Sequence, residues 1–321
     1  MKAGVATPDG LAVRDDVPEP QPKPNEVKVK VRAAGMNRAD LSAARGSGGH
    51  GAVGAVVGVE FAGDVVAVGA AVEGVKVGDR VACSGGGGYA EYAVADWGRV
   101  VAIPGNLDFE TAATFPIALY TLHNALVTAG RMKAGESVLI QGASSGVGLM
   151  GLQIAKAMGA KLVLGTSTNA GRRARLKEFG ADLALDTGAA GWVDRVLEAT
   201  GGKGVDLVVD MVSGPLVSQT MRATAIRGRI VNVGRLGGQK AEFDFDLHAL
   251  RRIDYVGVTF RTRSLEEVRE IGRLAQADLR DAVLSGKIGL PIDRTFRLDE
   301  AVAAQDYMRA NKHFGKILLL P

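Results

Sequence analysis

Two short segments carry the residue types that hold a phosphorylated cofactor. The first reads Val138-Leu-Ile-Gln-Gly142-Ala-Ser-Ser-Gly146-Val-Gly148-Leu149, an apolar run passing through small residues into a helical pattern. Small side chains let a pyrophosphate approach the backbone, and the positive end of a helix dipole favours its charge. Gly142, Ser144, Ser145, Gly146 and Val147 are therefore candidate cofactor-binding positions. The strict G-x-G-x-x-G spacing is not met, because Ala143 and Ser145 stand at its first two glycine positions before Gly148. The second segment, Gly165-Thr-Ser167-Thr-Asn169-Ala-Gly-Arg172-Arg173, falls where a fold of this type places an acid on the adenosine ribose, roughly 20 residues on. It holds hydroxyls and two arginines but no acid. Ser167, Asn169 and Arg172 thus suit a 2′-phosphate and point to NADPH rather than NADH. A solvated, basic first turn of a helix is the alternative reading.

Other reactive side chains are sparse. Cys83 is the single cysteine, which excludes an intramolecular disulfide and a cysteine zinc cluster. It is expected to be a small buried residue rather than a nucleophile. His50, His123, His248 and His313 are dispersed, and His123 lies in an apolar helical stretch that favours packing over catalysis. Tyr89 and Tyr92 read as structural strand residues. Tyr120 suits stacking near a cofactor and a core position equally. Arg261 and Arg263 follow a strand and fit a solvated turn better than a cofactor contact.

The elements that would position these groups change character along the chain. Val27, Val29 and Val31 alternate with Lys28, Lys30 and Arg32, as a half-buried strand does. A buried strand pair is expected over 56–68, broken by Gly58 and Gly63, with further strands after Gly78-Asp79 and over 89–94. Frequent short strands between Gly turns indicate a β-rich, barrel-like domain. Helical spacing begins at Phe109 and runs to Thr128. Strands at 137–141, 161–165, 183–185, 205–210, 229–233 and 255–259 then alternate with helices near 147–158, 171–179, 191–199 and 214–225. That alternation is the signature of a parallel sheet covered by helices. A long helix over 265–284 precedes short strands ending in Gly315-Lys-Ile.

Composition narrows the classes. The 321 residues are 47% apolar and 23% charged, which suits a globular protein with more than one core. The net charge of +4 is dispersed, without a run of five or six like charges, so nucleic-acid binding has little support. The N-terminal MKAGVATPDG lacks the apolar stretch of a signal peptide, and no apolar run reaches the roughly 18 residues of a membrane span. The expectation is a soluble, cytoplasmic protein.

Taken in order, the motifs resemble a known family. Gly35-Met-Asn37-Arg-Ala-Asp40, Gly58-Val-Glu60-Phe-Ala-Gly63, Gly78-Asp-Arg-Val81, Gly88-Tyr-Ala-Glu91-Tyr92 and the Gly142–Gly148 turn come first. Gly202-Lys-Gly-Val-Asp206, Gly228-Arg-Ile-Val, Gly257-Val-Thr-Phe-Arg261 and Gly315-Lys-Ile continue the series. The set resembles the zinc-independent, quinone oxidoreductase (zeta-crystallin-like) branch of the medium-chain dehydrogenase/reductases and covers nearly the whole chain.

The resemblance implies an α/β fold, a Rossmann doubly wound parallel sheet joined to a GroES-like β-rich catalytic domain. The boundaries expected are 1–115 for the first part of the catalytic domain, 116–258 for the NADPH-binding domain and 259–321 for the return. It implies that Asn37, Asp40 and Thr121 surround nicotinamide and substrate, with Asn37 and Thr121 also touching the cofactor. It places Val233, Gly234, Phe260 and Asn311 at further cofactor contacts. Zinc members of the family have ligands where Asn37, Val59 and Ile117 stand, so no metal is expected.

Hydride transfer to an electrophilic quinone or enone remains feasible without a metal. The tyrosine that many relatives carry shortly after Asp40 is missing from Leu41-Ser-Ala-Ala-Arg45-Gly46. Enoyl or acryloyl reduction is a second reading, as in the enoyl reductase domains of polyketide synthases. An NADPH-binding protein with little turnover, crystallin-like or sensing, is a third. A homodimer pairing through the strand near 255–259 is also implied. Replacing Arg172 with Ala should weaken NADPH binding by about 1.5–3 kcal/mol and barely alter NADH binding. Titration of both cofactors checks this, and equal losses would overturn the 2′-phosphate assignment.

Overall fold

The structure is a computed structural model that describes residues 1–47 and 51–321. His50, with Gly48 and Gly49 of the Gly-rich loop, lies outside the described residues. In chain order, β1 (Ala3–Thr7) and β2 (Gly10–Arg14) form a hairpin. β3 (Glu26–Gly35), the single helical turn α1 (Asp40–Ala43), β4 (Glu60–Val68), β5 (Arg80–Ser84), β6 (Tyr92–Asp96) and β7 (Val100–Ala102) follow. Then come α2 (Phe109–Ala112) and α3 (Pro116–His123), the latter continuing as a π-helical stretch over Asn124–Ala129.

The alternating region is β8 (Ser137–Gln141), α4 (Gly146–Ala157), β9 (Leu162–Thr166), α5 (Ala170–Arg175), β10 (Leu183–Leu185) and α6 (Trp192–Ala199). It continues with β11 (Val205–Asp210), α7 (Val217–Ala223), β12 (Thr224–Asn232), α8 (Phe245–Arg251) and β13 (Asp254–Gly257). The last elements are α9 (Leu265–Leu284), β14 (Ile292–Arg297), α10 (Ala301–Arg309) and β15 (Lys316–Leu320).

The chain divides into two compact units. The first holds Met1–Ala118, Arg263–Gly272 and Gly289–Pro321; the second holds Leu119–Thr262 and Arg273–Ile288. Within the stretch 259–321, expected to return to the first domain, residues 273–288 thus group with the second unit, as do 259–262.

The first unit is built on a sheet in the order β14-β15-β3-β4-β5-β7, with β6 also pairing with β3. The alternation read from Val27 to Arg32 appears as buried valines beside exposed Lys30 and Arg32. Lys28 is the exception, buried where its ammonium pairs with Glu19 at 2.7 Å and lies over the Tyr92 ring. The pair of strands expected over 56–68 is instead one strand, β4. Gly58 turns the chain at φ +102, so regular pairing begins only at Glu60. Gly63 lies inside the strand and has to be glycine, because a Cβ there would sit 2.0 Å from the Lys30 carbonyl oxygen of β3.

The second unit is a parallel sheet in the order β10-β9-β8-β11-β12-β13. Val138, Leu139, Ile140, Leu207, Val208 and Val209 are all fully buried, as strands covered on both faces require. The order reverses between β8 and β11, and ligands of such sheets lie beyond the carboxyl ends of the strands at that point. β12 starts at Thr224, earlier than the sequence pattern suggested, because α7 ends at Ala223. Among the described residues no helix is long and apolar enough to cross a membrane.

Candidate active site

In the first unit, the turn after β3 is closed by Asn37, whose backbone N–H donates to Asp40 Oδ2 at 2.7 Å. The Tyr89 hydroxyl donates to the same oxygen at 2.8 Å. Asp40 and Tyr89 are completely buried, and Asp40 Oδ1 has no hydrogen-bond partner. Burial pushes the Asp40 carboxyl up to about 7, against the downward pull of the Tyr89 hydroxyl and the Asn37 amide. Tyr89, expected to be structural, is packed in the core, and its hydroxyl ties it to a candidate catalytic carboxyl.

Beside this turn lies a second buried node. The Asn37 amide donates to Glu60 Oε1 at 2.8 Å and to the Gly35 carbonyl at 3.3 Å, and its Oδ1 accepts from Lys316 Nζ at 3.2 Å. Lys316 also donates to the Met36 carbonyl at 3.0 Å and pairs with Glu60 Oε1. Glu60 Oε2 accepts from the Ile117 backbone N–H at 2.7 Å. Gly35 has to be glycine, since a Cβ would lie 2.5 Å from Glu60 Oε1 and 2.4 Å from the Ala113 oxygen. Asn311 caps the same region at φ 54, accepting from the Arg38 guanidinium at 2.9 Å.

In the second unit, the Gly142–Gly148 turn is the start of α4. Ser145 caps the helix, its hydroxyl accepting from the Gly148 N–H at 3.1 Å and donating to the Gly142 carbonyl at 2.9 Å. The other first-turn N–H groups, those of Gly146 and Val147, have no acceptor within the helix and are the natural partners of an anion. Gly142 takes φ +74, and a Cβ on Gly148 would lie 2.5 Å from the Gly142 oxygen. The turn is therefore a cradle that larger residues would fill.

The Ser167 hydroxyl donates to the Ser144 hydroxyl at 3.0 Å and links the end of β9 to this turn. Asn169 caps α5 through the Arg172 N–H at 2.9 Å. Arg173 donates to the Ser167 carbonyl at 2.8 Å and pairs with Asp186 at 2.9 Å, so it braces β10.

Val233 and Gly234 donate their N–H groups to the Asp210 carbonyl at 2.8 and 3.1 Å, which sets them at the carboxyl end of β11. Met211 and Val212 in turn face Gly142. Thr121 lies beside Leu122, which packs so closely on α4 that a Cβ on Gly151 would come 2.8 Å from its Cδ1. Phe260 follows β13, two residues past Val258, whose N–H donates to the Asn232 carbonyl at 3.1 Å. Asn37, Asp40 and Asn311 thus belong to the first unit, and Thr121, Ser167, Asn169, Arg172, Val233, Gly234, Phe260 and the glycine turn to the second.

Comparison with known proteins decides the family. Residues 23–105 match the alcohol dehydrogenase GroES-like domain, and residues 146–277 match the family described as zinc-binding dehydrogenase. The chain is 32% identical to the quinone oxidoreductase of Rattus norvegicus over 267 residues, 82% of this chain and 79% of that one. An Escherichia coli quinone oxidoreductase complexed with NADPH superimposes with a TM-score of 0.88 at 25% identity, covering 100% of this chain and 99% of that one. The CurK enoyl reductase superimposes with a TM-score of 0.85 at 25% identity, over 99% of each chain. The chain belongs to the medium-chain dehydrogenase/reductases, in their quinone oxidoreductase branch.

This reductase, an enzyme of oxidation and reduction, uses several buried polar groups that its motifs did not announce. Glu60 and Lys316 carry no distinguishing signal in the sequence, and only the tertiary structure brings both to the Asn37 amide. Asp210 at the end of β11 accepts from the Val212 and Ser213 N–H groups at 2.8 and 2.9 Å, and burial raises its carboxyl above the usual range. His123 is packed as expected, with Nε2 2.8 Å from Asp278. Cys83 is buried, and burial pushes its thiol up, away from the reactive thiolate. Among the described residues no group of three or more His, Cys, Asp or Glu could hold a metal ion.

Lys316→Met takes the ammonium from a fully buried carboxyl group and should cost about 3–5 kcal/mol of stability. Adding Glu60→Gln should recover part of that loss; denaturant unfolding of the single and double variants measures the coupling. Asp40 titrates higher in the folded chain than in the unfolded one, so folding binds its proton. Its ionisation therefore destabilises the fold progressively as pH rises from the ordinary carboxylate range to about 7, with the full cost above that. Asp40→Asn should gain stability relative to the parent across that window; a difference constant between pH 4 and 8 would show that Asp40 titrates normally.

Proposed function

We propose that this reductase transfers a hydride from NADPH to a quinone or activated alkene without zinc. The observation that carries the reading is the state of Asn37. It stands where zinc relatives have a ligand, and its amide is engaged on both sides by Glu60 and Lys316. Val59 and Ile117 stand at the other ligand positions and offer no donor atom. This set does not fit a tetrahedral zinc site.

The glycine turn does fit a dinucleotide. The N–H groups of Gly146 and Val147, with the Ser144 and Ser145 hydroxyls, would hold the pyrophosphate, and Ser167, Asn169 and Arg172 the 2′-phosphate. When bound, NADPH supplies the hydride. Asn37 and Thr121 orient the nicotinamide and the acceptor, with Val233, Gly234, Phe260 and Asn311 as further cofactor contacts. Asp40, with Tyr89 behind it, sets the shape and protonation of the turn that carries Asn37. A quinone gains the hydride and one proton and leaves as hydroquinone. Since no metal polarises the acceptor, orientation against the donor supplies much of the rate.

The likeness to the CurK enoyl reductase favours a second acceptor class, an α,β-unsaturated thioester. There the hydride adds to the β-carbon and a proton to the α-carbon. The homodimer is proposed on the free edge of β13, where exposed Tyr255 and Phe245 line one shallow pocket. A monomeric mass in solution would contradict it.

The test follows oxidation of NADPH by the purified protein with a benzoquinone, then with an enoyl thioester, and repeats both with NADH. Quinone turnover that depends on NADPH and survives prior treatment with a zinc chelator is the expected result. Turnover with the thioester alone would move the function to enoyl reduction, and loss on chelation would overturn the zinc-free mechanism.

A further inference from the structure

Among the described residues only five non-glycine residues take a positive φ: Arg131 (49), Ser213 (56), Arg227 (62), Arg252 (50) and Asn311 (54). The left-handed region penalises a side chain with a Cβ, and glycine, asparagine or aspartate are its usual occupants. All three arginines line one open pocket of about 370 Å³ in the second unit, together with Lys133 and the Arg229–Glu136 pair. The pocket lies at the amino-terminal ends of the sheet strands, where Glu136 precedes β8 and Asp254 opens β13. The glycine turn follows the carboxyl end of β8, so the two sites occupy opposite ends of the sheet.

The charges in the pocket are unevenly matched. Arg229 grips Glu136 with two hydrogen bonds of 2.9 and 2.5 Å and donates to the Gly130 carbonyl at 2.8 Å. Arg131 pairs with Asp254. That neutralises both acids of the lining. Lys133, Arg227 and Arg252 have no side-chain partner among the described residues, so the pocket keeps three uncompensated positive charges. Guanidinium groups present forked donors matched to phosphate oxygens, and several held around one hollow favour a multiply charged anion.

We propose that this pocket binds an oligophosphate anion, a diphosphate group either free or carried by a nucleotide. Glycine at 227 and 252 would relieve the backbone, so arginine at these strained turns is explained by what its side chain holds.

The test is calorimetric titration of the wild-type protein and of Arg227→Gly/Arg252→Gly with inorganic pyrophosphate at low salt, with and without saturating NADPH. The expected result is one site per chain, indifferent to NADPH and weakened by about tenfold or more in the variant. The variant's thermal midpoint should be equal or higher, which separates loss of the site from loss of the fold. A parallel titration with ADP distinguishes the sources: tighter binding of ADP to the same site supports a nucleotide, and equal or weaker binding supports the free diphosphate. Absence of binding to the wild type, competition by NADPH, or unchanged affinity in the variant would overturn the proposal. So would a variant that binds pyrophosphate normally but loses a dimer, since the arginines would then serve an interface between copies.

Discussion

A buried ion pair, Glu60 with Lys316, organises the first unit around its candidate catalytic turn. Glu60 begins β4 and Lys316 begins β15, so the pair joins elements far apart in sequence. Two charges taken out of water are costly unless every lone pair and proton finds a partner. Here the partners are the Asn37 amide, the Met36 carbonyl and the Ile117 N–H. Because each of these satisfies a buried charge, Asn37 has little freedom to turn its amide. The same requirement explains Gly35, whose missing side chain is the space that Glu60 occupies.

The second unit depends on a different constraint, the close approach of backbone at the switch point of a parallel sheet. Gly148 meets the Gly142 carbonyl, Gly151 admits Leu122, and Gly234 admits the Met211 backbone. Each contact brings a separate element to the carboxyl ends of β8 and β11. The first turn of α4 then presents N–H groups toward that end, while Ser145 secures the cap. Strands buried on both faces supply the rigidity, since their side chains are packed against covering helices on either side.

Two carboxyl groups outside any ion pair, Asp40 and Asp210, are raised by burial and each leaves one oxygen without a partner. Such groups cost stability and persist where they hold a turn that function requires. Asp40 holds the Asn37 turn through its backbone N–H. Asp210 holds the turn after β11, where Ser213 takes a positive φ. Both therefore trade folding energy for the shape of a loop at the end of a strand.

By itself the sequence determined the fold class, the parallel order of elements and the glycine turn that opens α4, because these follow from local periodicity and small residues next to one another. It placed β8, β10, β11 and α9 to the residue. It misread the 56–68 segment, since Gly58 and Gly63 look alike in sequence while one turns the chain and the other admits a neighbouring carbonyl. Only the tertiary structure showed that Tyr89 hydrogen-bonds Asp40, that Arg173 is committed to Asp186, and that Glu60 and Lys316 meet at Asn37. Those contacts span from 13 to 256 positions in the chain. Spacing along the chain records which face of an element is buried, and a hydrogen bond between distant side chains leaves no period to read.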